Sequence, residues 1–224
     1  MKSMRTLALV TVLGLVAAAF AVPTASALEF RSTKSPETVL GNQDVSGIHK
    51  FEVEKQVTEC KQAKMEAKGV FFATKTLNLT PEWQLKANEC PVTLGFTSNP
   101  KEVEPEGCTF ELLEPVLAGM ATVGNLAIRC AAGKSIKLRG GSLFGTCEVR
   151  IGEVGNENLP KITYGSSGSM PTKITAKFEV TGITANKTVD SGTCGLAGAG
   201  VIKTVSYSGT STFEGTGGAG LEIK

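Results

Sequence analysis

The 224-residue sequence is short of the side chains that most often carry chemistry. It has one histidine, one tryptophan, two tyrosines and only two aspartates, Asp44 and Asp190. A Ser-His-acid catalytic set would have to use His49, and no serine lies in a G-x-S-x-G context. Two aspartates far apart exclude an Asp-rich calcium loop. None of the six cysteines stands in a C-x₂-C pair, and the lone histidine is remote from any cysteine pair, so a zinc site is disfavoured. No large excess of one charge is present either: 23 Lys and Arg face 21 Asp and Glu. A nucleic-acid binder needs a basic footprint that this balance does not supply.

The first 27 residues account for the whole basic surplus. Lys2 and Arg5 precede the uncharged run Leu7–Val22, and Ala25-Ser26-Ala27 gives a small-x-small site. This pattern reads as a cleavable signal peptide, residues 1–27, with Ala27 and Leu28 flanking the cut. The apolar run falls short of the roughly 20 residues that span a bilayer. The mature part, residues 28–224, has 21 basic and 21 acidic residues and no second run long enough to cross a membrane. The product is expected to be secreted, or held at the cell wall.

Period-two alternation dominates this mature part and marks half-buried strands. In Pro171–Thr184, Ile174, Ala176, Phe178 and Val180 face one way and the intervening polar residues the other. Ser135–Arg139, Cys147–Ile151, Lys50–Glu54, Thr76–Thr80 and Val201–Tyr207 behave alike. Glu59–Lys68 has helix-favouring composition but is read as strand from its neighbours. Turns are expected at Gly41-Asn42, Pro100–Gly107, Gly140-Gly141, Gly155–Pro160, Gly165–Pro171 and Asn186–Gly192. Regular strands between turns predict an all-β fold. The expected form is an antiparallel β-sandwich, immunoglobulin-like or jelly-roll-like, stapled by disulfides. One disulfide-linked domain is expected over 28–224, with a boundary near 140–170 should it divide into two sub-sandwiches.

Six cysteines in an exported chain imply three disulfides. One pair can be argued from register. If 108–112 and 126–130 form a hairpin centred on Gly119, Cys108 meets Cys130, Phe110 meets Ile128 and Leu112 meets Leu126, all on one face. Opposed strand residues are within disulfide reach. The remaining cysteines then pair most simply as Cys60–Cys90 and Cys147–Cys194. Cys130–Cys147 is disfavoured, on the expectation that Ser135–Arg139 lies between them in a meander.

Other candidate sites are weak. His49 shares a face with Phe51 and Val53 and is expected at a strand start near the rim. Glu102, Glu104 and Glu106 could collect a cation but read better as a solvated loop. Glu111 and Glu114 lack the aromatic cleft of a glycosidase pair. Gly133-Lys134-Ser135 and Gly195–Gly200 imitate phosphate loops without their spacing and read as turns. Trp83 is expected to be buried. The acids of Glu102–Glu114 and the bases Arg129, Lys134, Lys137 and Arg139 suggest a local dipole.

The elements His49-Lys50-Phe51-Glu52-Val53, Val57–Cys60, Gly107-Cys108-Thr109-Phe110, Leu126–Lys134, Cys147-Glu148-Val149, Lys161–Tyr164 and Cys194 with the Gly-rich tail occur in a recognisable order. In this the chain resembles an uncharacterised family of exported, six-cysteine, Thr/Gly-rich β-proteins of soil actinobacteria. It departs from them in the Lys/Glu-rich segment Glu59–Lys68. The resemblance implies export and a β fold, and no activity. Together these readings lead to a secreted, non-enzymatic interaction or structural module of unknown partner, with no cofactor and no metal, for which self-association or a cell-surface partner are the options. The alternatives are a β-barrel carrier of a small apolar ligand and, remotely, a hydrolase using His49.

Overall fold

The computed structural model describes residues 27–34, 37–54, 56–60, 63–70, 73–83, 92–93, 102–142, 145–152, 156–167, 172–192 and 199–224. Among these the regular structure is strand, apart from one 3₁₀ turn at Thr216–Gly218. The strands are β1 (Phe30–Ser32), β2 (Glu37–Gln43), β3 (His49–Val53), β4 (Gln56–Cys60), β5 (Ala63–Val70), β6 (Ala73–Thr74), β7 (Leu77–Trp83), β8 (Val92–Thr93) and β9 (Glu102–Glu104). The second half holds β10 (Cys108–Leu112), β11 (Val116–Ala118), β12 (Ala121–Cys130), β13 (Ile136–Ser142), β14 (Gly145–Ile151), β15 (Leu159–Ser167), β16 (Lys173–Gly192), β17 (Gly200–Gly215) and β18 (Leu221–Ile223).

Eight strands close on themselves in the order β17-β2-β5-β7-β10-β12-β15-β16, and β16 pairs back to β17. The fold is thus an antiparallel barrel where a sandwich was expected. Alternation cannot separate the two, because both bury one face of each strand. The distinguishing fact is which strands meet at the ends of the order. Closure also removes the exposed edges that an open sheet would present.

The closing pair is unusually long. β16 has 20 residues and β17 has 16, against a usual 3–10. Each changes partner along its length. In β16, residues 173–178 oppose β15 and residues 186–192 oppose β14. In β17, residues 211–215 oppose β2 and residues 205–208 oppose β3. The far halves therefore carry a flanking sheet, with β3, β4 and β8 on one side and β14, β13 and β9 on the other. A seam separates the two regions. In β16 it holds register shifts around Ile183 and a left-handed Gly182 (φ 76°).

Buried residues form one continuous cluster across both regions. At its centre Tyr207 has Phe51, Phe110 and Phe178 around it, with ring centroids 4.8, 5.3 and 5.5 Å away. A small sheet, β18-β1-β6, covers the barrel end and joins the two ends of the described chain: Glu29 N–H donates to the Lys224 carbonyl at 2.6 Å.

The hairpin register expected from the cysteines is the one found. Cys108 opposes Cys130, Phe110 opposes Ile128 and Leu112 opposes Leu126, and Cys108 and Cys130 are disulfide-bonded. The meander expected between Cys130 and Cys147 is not formed: β13 pairs with β14 and β9, not with β12. Cys60 and Cys147 are also disulfide-bonded. Their proposed partners Cys90 and Cys194 lie outside the described residues, as do residues 1–26 and the Trp83 side chain.

Several glycine-marked turns are strand instead. Gly41 lies in β2, Gly140 and Gly141 in β13, and 186–192 in β16. Gly41 is there for clearance: a Cβ on it would lie 2.4 Å from the Phe213 ring. Glu59–Lys68 is strand on both sides of Lys61-Gln62, as expected.

Candidate functional site

His49 is the single histidine of the sequence, and a Ser-His-acid set would have to use it. It begins β3, directly after the loop from β2, and packs at the seam. It is 0% exposed, a correction to the expected rim position. The rim reading failed because its neighbours come from far along the chain: Tyr207 and Ser211 are 158 and 162 residues away. Gly209 makes the room. A Cβ there would lie 2.6 Å from the imidazole Cγ and Nδ1.

The ring's protonation is set by its partners. Nε2 lies 3.2 Å from the Thr210 carbonyl oxygen, which can only accept, so Nε2 carries the proton and donates. Nδ1 is left with its lone pair and accepts from the Tyr207 hydroxyl. Ser211 Oγ is 3.0 Å from Nε2, on the protonated side of the ring. A serine nucleophile needs the opposite, a basic nitrogen facing its hydroxyl. Burial lowers the His49 pKa to about 4, although the Thr210 hydrogen bond opposes the shift. The imidazole is thus held neutral. It joins β3 to β17 where β17 passes from β3 to β2.

The acidic candidates are bound up in ion pairs, and Glu102–Glu104, expected within a solvated loop, is the strand β9, which pairs with β13. Glu104 pairs with Arg139 at 3.3 Å, Glu106 with Lys137 at 2.8 Å, Glu111 with Arg129 at 3.1 Å and Glu114 with Lys75 at 2.9 Å. Glu148 receives both Arg139, at 2.7 Å, and Arg150. Burial pushes its carboxyl up, but the hydrogen bonds from the two arginines outweigh this and hold it below the usual range. The acidic and basic segments therefore neutralise each other within the sheet, and the suggested dipole largely cancels. Glu102 faces Arg139 in register, its side chain lying outside the described residues. Among the described residues no group of three or more His, Cys, Asp or Glu could hold a metal ion.

Two spaces remain. Inside the barrel, Phe30, Val39, Leu77, Leu112, Ile174, Phe213 and Leu221 surround a cavity of about 10 Å³, room for roughly one water. On the outside, a cleft of about 430 Å³ opens where the β12 end, the β14 end and the β16 bend converge. Its lining includes the small residues Ala131, Ala132, Gly133, Gly152 and Ala185, together with Lys134 and Arg150. The turn at its mouth is tight: Lys134 N–H donates to the Ala131 carbonyl at 2.8 Å, and Gly133 is left-handed (φ 74°). No helix comes after it, since β13 starts at Ile136, so Gly133-Lys134-Ser135 is a turn as expected.

Beneath this cleft lies a residue that sequence reading passed over. Asn156 is fully buried. Its Oδ1 accepts from Thr184 N–H at 2.8 Å, and its Nδ2 donates to the Thr184 carbonyl at 3.0 Å and to the Gly152 carbonyl. It thus satisfies the backbone of β16 in the stretch between its β15 and β14 pairings. A loop Asn among Gly and Glu gave no signal of this, since Asn is common in any turn.

No family model, no curated protein and no solved structure matches the chain. What defines it is its own architecture: an all-β protein with a closed eight-stranded barrel, a flanking sheet on shared strands, and a cross-strand disulfide.

Proposed function

We propose that the chain is an exported, non-enzymatic binding module that engages a partner outside the cell through the cleft around Lys134. The observation that carries this reading is the division of its polar groups. The single histidine is sealed and neutral, and the acidic candidates Glu104, Glu106, Glu111, Glu114 and Glu148 are held in ion pairs. The 430 Å³ cleft has Lys134 in a lining of small side chains, with Arg150 beside it held by Glu148. Such a surface suits an acidic side chain or a chain terminus carried on an extended peptide, because small lining residues let another backbone approach. The signal-like leader, the six cysteines and the resemblance to exported six-cysteine proteins agree with an extracellular site of action.

The test is a photo-crosslinking amino acid at Ala132, with a second placed at Lys203 as control, in protein expressed in its own host. The expected result is a discrete adduct in the envelope or medium fraction from Ala132 alone, lost on Lys134→Glu. Equal adducts from both positions, or recovery of the protein in the cytosol with reduced cysteines, would sink the proposal.

The carrier reading draws support from barrel closure, since small barrels can hold one ligand. It requires the packed interior to open well beyond 10 Å³. Saturable uptake of an apolar dye by the folded protein would favour it, and absence of uptake would reject it.

A further inference from the structure

The barrel is packed shut at one end by side chains that its own strands do not carry. Phe30 of β1 and Leu221 of β18, both buried, close the inner cavity against Val39, Leu77, Leu112, Ile174 and Phe213 of the barrel wall. The lining is apolar. The one charged residue beside it, Arg31, is exposed and donates to Glu29 at 3.3 Å. Phe30 and Leu221 therefore fill a space that, without them, is an apolar pocket at the barrel end.

The cap that carries these two side chains is lightly held. The sheet β18-β1-β6 has strands of 3, 3 and 2 residues, and among the described residues no ladder continues it into the barrel. The main chain joins the two at Leu221 N–H to the Thr172 carbonyl and Leu28 N–H to the Pro115 carbonyl, both at 2.8 Å, and at the single bridge Ala27–Val116. A segment held by so few backbone bonds opens at less cost than the barrel ladders. β18 follows β17 through 215–220, where Gly217 and Gly218 are left-handed (φ 67° and 76°). A Cβ on either would meet nothing within 4 Å, so these glycines supply backbone freedom and not clearance.

A second space lies against the same end. It is an opening of about 270 Å³ lined by Thr122, Tyr164, Ser166, Ile174 and Ile223 among others, with no charged side chain. Ile174 lines both this opening and the inner cavity, and Ile223 belongs to the cap. Tyr164 meets Phe30 edge to face, ring centroids 5.5 Å apart. Its hydroxyl is buried and has no hydrogen-bond partner among the described residues. Such a group is costly when unpaired, and a guest that replaces Phe30 borders the ring that carries it.

We propose that the capped barrel end is a binding site closed by its own residues: Phe30 and Leu221 stand where an uncharged apolar molecule with one hydroxyl head binds, and the cap swings on 215–220 to admit it. The apolar body takes the place of the two side chains, and the head meets Tyr164. The proposal rests on the carrier reading and is independent of the cleft.

The test uses the folded protein with methyl-labelled Ala, Val and Leu, titrated with 1-hexanol and with hexane. The wild type should show saturable shifts at Val39, Leu77 and Leu112, and none at Ala131, Ala132 or Ala185 in the cleft. Phe30→Ala should bind 1-hexanol about 10-fold more tightly, because a closed cap no longer lowers the competent fraction. It should also lose the ceiling on the association rate that cap opening imposes on the wild type. Leu221→Ala takes its place should Phe30→Ala not fold. Tyr164→Phe should lower the ratio of 1-hexanol to hexane affinity about 10-fold, the loss of one hydrogen bond in the interior. No saturable shift in the wild type overturns the proposal even where Phe30→Ala binds, since the cap then does not open. Shifts confined to the cleft alanines overturn it as well, and an unchanged ratio in Tyr164→Phe overturns the ligand assignment. Interior shifts with affinity and rate indifferent to Phe30→Ala overturn the role of the cap and leave a carrier with another entrance. Absence of binding in both proteins removes the carrier reading itself.

Discussion

At the residue scale the buried imidazole sets two expectations. The ordinary pKa of 6.5 applies to His49 in the unfolded chain, and about 4 applies in the folded one. Between these values the unfolded chain binds a proton that the folded protein does not. Stability is therefore complete above about pH 6.5 and falls as pH drops toward 4, by about 3 kcal/mol from this group. Urea unfolding at pH 7 and pH 4.5 measures the loss, and His49→Phe should remove that part of the difference. Gly209→Ala tests the same contact sterically. Its new Cβ would overlap a fully buried ring that hydrogen bonds hold at both nitrogens, so a loss of about 1–3 kcal/mol is expected in the same assay. A neutral result would mean the ring can shift, and the seam would not depend on its position.

At the element scale the decisive structure is the interrupted stretch of β16. Residues 173–178 and 186–192 have strand partners on that edge, whereas Thr184 has Asn156. Asn156→Ala would leave the Thr184 N–H and two carbonyls without that partner in the interior. The expected cost is about 2–4 kcal/mol. Hydrogen exchange should show the Thr184 amide losing protection first; uniform loss across β16 would argue for a general packing effect. This element also shows where sequence is informative. The β10–β12 register was legible because a cysteine and two apolar pairs all had to share one face, and a slip of one residue would have violated every pair. Strand assignments elsewhere were legible for the same reason. The roles of Gly41 and Gly209 were not. Glycine marks turns and close approaches alike, and only the positions of Phe213 and His49, given by pairings far along the chain, tell them apart.

At the scale of the whole molecule, barrel closure was the feature least available to sequence. It depends on β16 meeting β17, and that hairpin obeys the same alternation in a barrel and a sandwich. The long pair nevertheless makes a prediction about the entire fold. Barrel and flanking sheet share β16 and β17, and their buried residues form one cluster through Tyr207, Phe51, Phe110 and Phe178. Neither region can unpair from these strands without exposing the other's inner face. The described protein should therefore unfold as one cooperative unit with its disulfides intact. Calorimetry should give a single transition whose calorimetric and van't Hoff enthalpies agree. Hydrogen exchange in β12, on the barrel side, and in β14, on the flanking side, should approach the same limiting free energy. Two transitions, with β13 and β14 exchanging well before β10 and β12, would make the flanking sheet an independent unit. In that case the seam made by His49, Gly209 and Asn156 would join two domains, and substitutions there would separate the transitions without lowering the barrel's own midpoint.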